Sequence, residues 1–320
     1  MPNEVNMNVD SRIKYLTNLI DDNDLAVYRY ERARLYLKIG RNPAALRDIN
    51  QAIGEKTENI AYYVVKTQAE FSEGNYDEAL KAALYAEKNG YASTELKVLL
   101  GELYYQKNNK AKALSYLKEV LAEYPDNFNA VFLSGKIYAE QQDTTSSFKY
   151  LEQALTLNPD DNRPYETYMK LLNELGLFER SAKVGITYLK YIEPNAAFAY
   201  YYGETLEFNK QVDSALVWYE KSFTLQNHWK PGIKLAKFRL RNGDFREAAR
   251  LYEIALSQNP AIENGYYELG YTYEYYLDQL EEALKAYRNG NEKDTLNNKY
   301  PFYMRRVQRK IEFKNFQDSF

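Results

Sequence analysis

The sequence predicts an all-α fold, an α-solenoid of stacked antiparallel helical hairpins, and interlocked series of small residues carry that expectation. Ala33, Thr67, Gly101, Gly135, Met169, Gly203, Ala236 and Gly270 recur at a spacing of 34 with one step of 33. A second series lies twelve residues on, at Ala45, Ala79, Ala113, Ser147, Ser181, Ala215 and Ala248, and reaches Ala283 after a one-residue slip. A third runs through Ala52, Ala86, Val120 and Ala154 and returns at Ala255. Small residues at a fixed period let two helix backbones approach closely, and a period of about 34 marks hairpins that bury their apolar faces only by stacking.

Residues 1–25 read as a polar leader with an incomplete leading repeat, in which Ser11 is placed to cap a helix over 12–20 carrying Ile13, Leu16 and Ile20 on one face. Eight hairpins fill 26–290, starting at residues 26, 60, 94, 128, 162, 196, 229 and 263. In the third, Leu96, Leu99, Leu100 and Leu103 form the stripe of the first helix, Asn108 and Asn109 make the turn, and Ala113, Leu117 and Val120 form the stripe of the second. Gly40, Gly74, Gly176 and Gly243 fall between the helices of their hairpins, and Pro125, Pro159, Pro194 and Pro260 fall between hairpins. The remaining 291–320 comprise a polar, turn-rich linker and a last helix over 300–314, where Tyr303, Val307 and Ile311 line up beside Arg305, Arg306, Arg309 and Lys310. An apolar stripe with a charged back suits a cap over the last stacking face. A basic surface for a partner or a lipid is the alternative reading of the same helix.

Over 320 residues no compositional break appears, so one domain is expected. A formal net charge of -3 offers no broad phosphate-neutralising surface, which argues against a nucleic-acid binder. Cysteine is absent, and with it disulfides, thiolate nucleophiles and thiolate metal sites. No apolar run reaches the length of a membrane span, and the start MPNEVNMNVD is not a signal peptide, which leaves an export signal or lipid anchor in a longer precursor open. Tyrosine is the outlier, at 33 residues against two tryptophans. Rings in that number serve cores and partner-facing surfaces alike.

The stretches LLGELYYQKNNKAKALSYLKEVLAEYP at 99–125, FLSGKIYAEQQDTTSSFKYLEQALTLNP at 132–159, AKFRLRNGDFREAARLYEIALSQNP at 236–260 and YYELGYTYEYYLDQLEEALKAY at 266–287 resemble the tetratricopeptide repeat family. The resemblance covers about 26–290 and implies a right-handed superhelix whose first (A) helices line a concave groove. The chain departs from the family pattern at Lys66, Thr67 and Glu70 in repeat two and at Met169, Ser181, Gly185 and Tyr188 in repeat five. Repeat eight carries one extra residue within 275–279, lengthening its A helix or its turn. Local packing adjusted at these places is one reading, with a change of curvature near repeat five; drift without functional meaning is the other.

The resemblance implies that A-helix positions two, five, nine and twelve face the groove. Position five then reads Tyr30, Val64, Val98, Phe132, Glu166, Tyr200, Ile233 and Tyr267, while position twelve turns polar at Asn173, Glu207 and Glu274. The set by which family members grip a C-terminal carboxylate, Lys at position five with Asn at six and nine, occurs in no repeat here. An extended peptide or an amphipathic helix with aliphatic anchors fits such a groove better. The main candidate partner site comprises Tyr200, Glu204 and Phe208, then Ile233, Lys237 and Arg241, then Tyr267, Tyr271 and Tyr275, three runs of i, i+4, i+8 on successive hairpins. A secondary site comprises Tyr30, Arg34, Leu37, Val64, Gln68 and Phe71. Whether these rings face a partner or the core stays open at this stage.

No catalytic, cofactor or metal site is expected. The one histidine, His228, has neither a cysteine nor a second histidine as co-ligand, so a packing or surface role is expected for it. Nucleophile elbow, Gly-rich phosphate loop and calcium loop are all missing from the sequence. The expected function is a non-enzymatic scaffold or adaptor presenting a Tyr-rich groove to a peptide or helix of a partner protein. An envelope-associated structural component or lipoprotein of a larger bacterial assembly is the alternative, and a small-molecule-sensing repeat domain has no motif behind it. Cysteine-free, Asn- and Tyr-rich composition resembles exported bacterial repeat proteins, so a periplasmic or cell-envelope location is expected ahead of a cytoplasmic one.

Overall fold

A computed structural model describes residues 8–54, 59–293 and 298–317, and every regular element among them is helical. Contacts divide the chain into two units, Met1–Asn158 and Pro159–Phe320. The division falls between the fourth and fifth hairpins, where the composition shows no break.

The first unit holds α1 (Val9–Asp22) and four hairpins: α2 (Ala26–Lys38) with α3 (Asn42–Gly54), α4 (Ala61–Ser72) with α5 (Tyr76–Lys88), α6 (Thr94–Gln106) with α7 (Lys110–Glu123), and α8 (Phe128–Glu140) with α9 (Thr144–Leu157). Ile13, Leu16 and Ile20 are buried as their spacing requires, but the cap of α1 is Asn8, whose side chain accepts from the Ser11 amide at 2.8 Å. The helix starts one turn earlier than expected because this Asn satisfies the free amides that Ser11 was to meet. The same chemistry recurs at Ser93, Asn109, Asn127 and Asp143.

The small series lie where backbones meet. Ala33, Thr67, Ala45, Ala79, Ala113 and Ser147 are completely buried. A Cβ on Gly101 would sit 2.9 Å from Cδ2 of Leu117, and one on Gly135 3.0 Å from Cγ of Leu151. The Ser147 hydroxyl donates to the Gly135 carbonyl at 3.0 Å, so a polar residue enters this seam fully bonded. Repeat two accommodates its departures in the same way: Thr67 donates to the Tyr63 carbonyl at 2.7 Å, and the buried Glu70 accepts from Asn75 at 2.9 Å and closes its own turn.

The second unit holds α10 (Asn162–Glu174) with α11 (Phe178–Tyr191), α12 (Ala196–Phe208) with α13 (Val212–Leu225), α14 (Trp229–Arg241) with α15 (Phe245–Gln258), and α16 (Gly265–Tyr271) with α17 (Leu280–Lys293), then α18 (Tyr300–Gln317). The extra residue of hairpin eight is absorbed by a π turn, Thr272–Tyr276, that continues α16. In hairpin five, Tyr188 is completely buried, stacking on Phe198 at 3.8 Å and meeting Tyr165 edge-on at 5.3 Å.

Each hairpin turns through one left-handed residue: Gly40, Gly74, Asn108 and Gln142 in the first unit, Gly176, Lys210, Gly243 and Asp278 in the second. In seven of the hairpins the amide that follows it reaches back five residues, as Asn109 does to the Tyr104 carbonyl at 2.8 Å and Gln211 to that of Leu206 at 2.9 Å, and in the eighth, past the π turn, Gln279 reaches back six to that of Tyr273 at 2.9 Å. These bonds satisfy carbonyls the helix end would otherwise strand.

Helix α18 closes the second unit. Tyr300 and Val307 are fully buried and Ile311 is 9% exposed, and a Cβ on Gly290 would collide with the Tyr300 ring. The cap expected over 300–314 thus runs on to Gln317. Of the expected leader and linker, residues 1–7 and 294–297 lie outside the described residues.

Candidate partner-binding surface

Steps of four residues put Tyr200, Glu204 and Phe208 on one face of α12. The half-buried Tyr200 ring lies 5.4 Å from Tyr201 and 5.9 Å from Tyr219, and its hydroxyl donates to Glu204 at 3.5 Å. Burial, reinforced by the Glu204 carboxylate, pushes the Tyr200 phenol far above its ordinary range, so it remains a neutral donor. Phe208 is 54% exposed, stacks on Phe178 at 4.4 Å, and has the Lys234 ammonium 5.7 Å from its ring.

Ile233, Lys237 and Arg241 follow the same steps along α14 and line a cavity of about 420 Å³ with Glu207, Tyr219 and Phe238. Inside it Glu207 accepts from the Lys234 ammonium and from the Tyr219 hydroxyl, each at 2.7 Å. Burial works against the Glu207 charge, but these two donors outweigh it and hold the carboxyl below its ordinary value. Glu207 is thereby neutralised internally. Lys237 and Arg241 are exposed and make no ion pair among the described residues.

The three tyrosines form a ladder along α16 and its π turn: Tyr267 and Tyr271 are 5.8 Å apart, Tyr271 and Tyr275 stack at 4.5 Å. Helix α18 shares this ladder. Tyr303 lies 5.0 Å from Tyr267, and the Tyr275 ring sits 5.3 Å from the Arg306 guanidinium and 4.2 Å from the Lys310 ammonium. Two polar residues expected to face the groove are instead buried. Glu274, 4% exposed, takes bonds from Arg306 at 2.6 Å, Lys310 at 2.9 Å and the Tyr287 hydroxyl at 2.9 Å. It anchors α18, and the i, i+4 spacing of Arg306 and Lys310 was the sequence signal for a shared carboxylate. Asn173, 8% exposed, donates to the Tyr201 carbonyl and accepts from Thr205, both at 2.9 Å.

The secondary site is largely committed to packing within the first unit. Val64 is 4% exposed and belongs to the core, a correction to its expected place on the groove, because its helix neighbours close over it; Val98 and Phe132 are buried likewise. Tyr30 stacks on Tyr62 at 4.8 Å, Arg34 lies 5.6 Å from the Tyr30 ring and pairs with Glu31, Gln68 donates to Glu95, and Phe71 tilts against Tyr76. Leu37 packs half-buried against the cluster of Ala33 and Ile49. His228 caps α14, its Nδ1 accepting from the Lys230 amide at 3.2 Å. Among the described residues no group of three His, Cys, Asp or Glu is placed to hold a metal, and no helix is long and apolar enough to cross a membrane.

The tetratricopeptide repeat model matches residues 30–93, 64–128, 98–162 and 233–290. Solved structures share the fold. A tetratricopeptide repeat protein from Parabacteroides merdae is 17% identical with a TM-score of 0.58, over 77% of this chain and 98% of that one. PilW, a type IV pilus biogenesis factor, is 16% identical with a TM-score of 0.54, over 67% and 98%. The APC/C hetero-tetramer Cut9-Hcn1 is 12% identical with a TM-score of 0.59, over 92% of this chain and 58% of that one. At these identities the likeness is one of fold alone. No curated protein matches the chain significantly.

Proposed function

The chain belongs to the tetratricopeptide repeat family of interaction scaffolds, and from that premise we propose that the A-helix face of α12, α14 and α16 holds a peptide or helical segment of a partner protein. The cavity beside α14 carries the reading. Its apolar wall of Ile233, Phe238 and Tyr219 is bordered by two unpaired cations, while its one carboxylate is already satisfied. An apolar anchor entering such a cleft removes aliphatic and aromatic surface from water, and cations at its border select what flanks that anchor. Tyr271 adds a ring where other repeats carry charged or amide groups.

Calorimetric titration of a peptide selected on the purified chain tests this. Ile233→Ala and Tyr271→Ala should stay folded and bind about tenfold more weakly, equivalent to about 1.4 kcal/mol. Unchanged affinity in both variants moves the site elsewhere. The envelope location rests on composition, and a precursor reading frame that runs into a signal segment ending in a lipidation cysteine is its test.

A further inference from the structure

We propose, building on that partner-groove reading, that the A-helix face of α10, α12 and α14 is charged oppositely at its two ends and so fixes the direction of the bound segment. A basic residue of the partner lies over α10 and α12, an apolar residue over Tyr200 and Ile233, and an acidic residue over α14.

The acidic end is Glu166 on α10 with Glu204 on α12. Both hydrogen bonds to Glu166, from Asn162 at 2.9 Å and Asn195 at 2.7 Å, fall on Oε1, and no ion pair engages it among the described residues. Glu204 accepts from Asn173 at 3.3 Å and from Tyr200, again with no cationic partner there. Tyr201 lies near both: burial first, then the charges of Glu166, Glu204 and Glu174, push its phenol up. The neighbouring carboxylate Glu174 is set against Lys170 at 3.8 Å and drops out of the balance.

The basic end is α14. Lys234 is spent on Glu207, which leaves Lys237 and Arg241 unpaired, with the Lys230 ammonium 5.8 Å from the Tyr200 ring on the same side. Two carboxylates on α10 and α12 and three cations on α14 therefore border the segment around Tyr200, whose hydroxyl bonds Glu204 and whose ring has Lys230 beside it. A segment of uniform charge gains at one end what it loses at the other, whereas a dipolar segment gains at both when it lies one way and loses at both when reversed. Two interhelix steps of about 10 Å separate Glu166 on α10 from the cations of α14 by about 20 Å, roughly 13 residues of a helical ligand or about 6 of an extended one, with Glu204 one step from either helix.

The full chain is panned against a random peptide library, and the strongest binder that loses affinity with Ile233→Ala becomes the probe, a choice that makes no reference to charge. That probe should carry a basic and an acidic residue on either side of its apolar anchor. Glu166→Gln with Glu204→Gln, and separately Lys237→Met with Arg241→Met, should each weaken it about tenfold, the order expected for a lost charge pair. Lys237→Glu with Arg241→Glu should bind it worse still, and recover affinity when the acidic residues of the probe are changed to Lys. A groove-dependent probe without this charge pattern, or one bound equally by all three double variants, overturns the polarity and leaves the groove reading standing. A library with no binder sensitive to Ile233→Ala overturns both.

Discussion

In hairpin five, Met169 and Gly185 exchange the sizes that hairpins three, four and six assign to the same two positions. Gly101 faces Leu117, Gly135 faces Leu151 and Gly203 faces Tyr219, a small residue on the A helix under a large one on its partner; here Met169 stands on α10 and Gly185 on α11, with the Met169 Cε 3.3 Å from where a Gly185 Cβ would be. The vacated space also admits the Tyr202 ring of the next hairpin, 2.5 Å from that same Cβ position. A ring wedged between helices cannot step aside, whereas the Cδ2 of Leu117 can. Gly185→Ala should therefore cost about 1–3 kcal/mol by overpacking. Gly101→Ala should come out near neutral, because the gain in helix propensity of about 1 kcal/mol offsets the crowding. Chemical denaturation of both variants decides it, and equal losses would contradict the wedge.

Four of the eight turns place a residue with a side chain in the left-handed region that glycine occupies in the others: Asn108, Gln142, Lys210 and Asp278, at φ 56°, 62°, 64° and 50°. That conformation costs such residues about 1–2 kcal/mol, least for Asn and Asp. Lys210→Gly and Gln142→Gly should each raise the unfolding free energy by about 1 kcal/mol, more than Asn108→Gly does. Loss of stability in the first two would mean that contacts of the replaced side chains outweigh the strain.

Two buried tyrosines of the second unit, Tyr219 and Tyr287, reach back to the twelfth residue of their own hairpin. The Tyr219 hydroxyl bonds Glu207 at 2.7 Å and that of Tyr287 bonds Glu274 at 2.9 Å, but hairpin seven has Leu240 at this place, and the buried Tyr252 hydroxyl finds no hydrogen-bond partner among the described residues. Removing an unpartnered polar atom relieves a desolvation cost, while removing a bonded one strands its acceptor. Tyr252→Phe should be neutral or stabilising by about 1 kcal/mol, and Tyr219→Phe and Tyr287→Phe should cost about 1–3 kcal/mol. Thermal midpoints that fall alike in all three would remove the distinction.

Glu274 makes the docking of α18 sensitive to acid. Burial alone would raise its pKa, but Arg306, Lys310 and the Tyr287 hydroxyl together hold it below the ordinary 4.5. A carboxyl whose folded pKa is depressed stabilises the fold above its unfolded pKa and loses that contribution as pH falls through the folded value. Glu274→Gln should thus cost about 2 kcal/mol at neutral pH, and the gap to wild type should close progressively below pH 4.5. A gap independent of pH would assign the loss to packing.

Helix positions were legible because each depends on local chemistry repeated eight times. The expected starts at residues 26, 94, 128, 162, 196 and 229 are the observed ones, since capping side chains and turn residues lie within a few positions of each end. The π turn at Thr272–Tyr276 was visible only as an extra residue, because its choice over a longer turn depends on packing against α15 and α17. Glu274 and Val64 were misplaced for a related reason: a position faces the groove only where no further helix covers it, and periodicity along one helix carries no record of its neighbours. Lys237 and Arg241 are charged, exposed and one turn apart, features that a single helix sequence can display, while the neutralisation of Glu207 beside them needed the fold to bring Lys234 and Tyr219 within reach.

Hydrogen-deuterium exchange of the full chain with and without a selected peptide tests the binding face most directly, because it locates the contact without substitution. Added protection should concentrate in α12, α14 and α16, strongest around Tyr200, Ile233 and Tyr271, with α2 and α4 exchanging as in the free chain. Protection confined to α2 and α4, or to the outward face of α18, with α12 and α14 unchanged, would contradict the account.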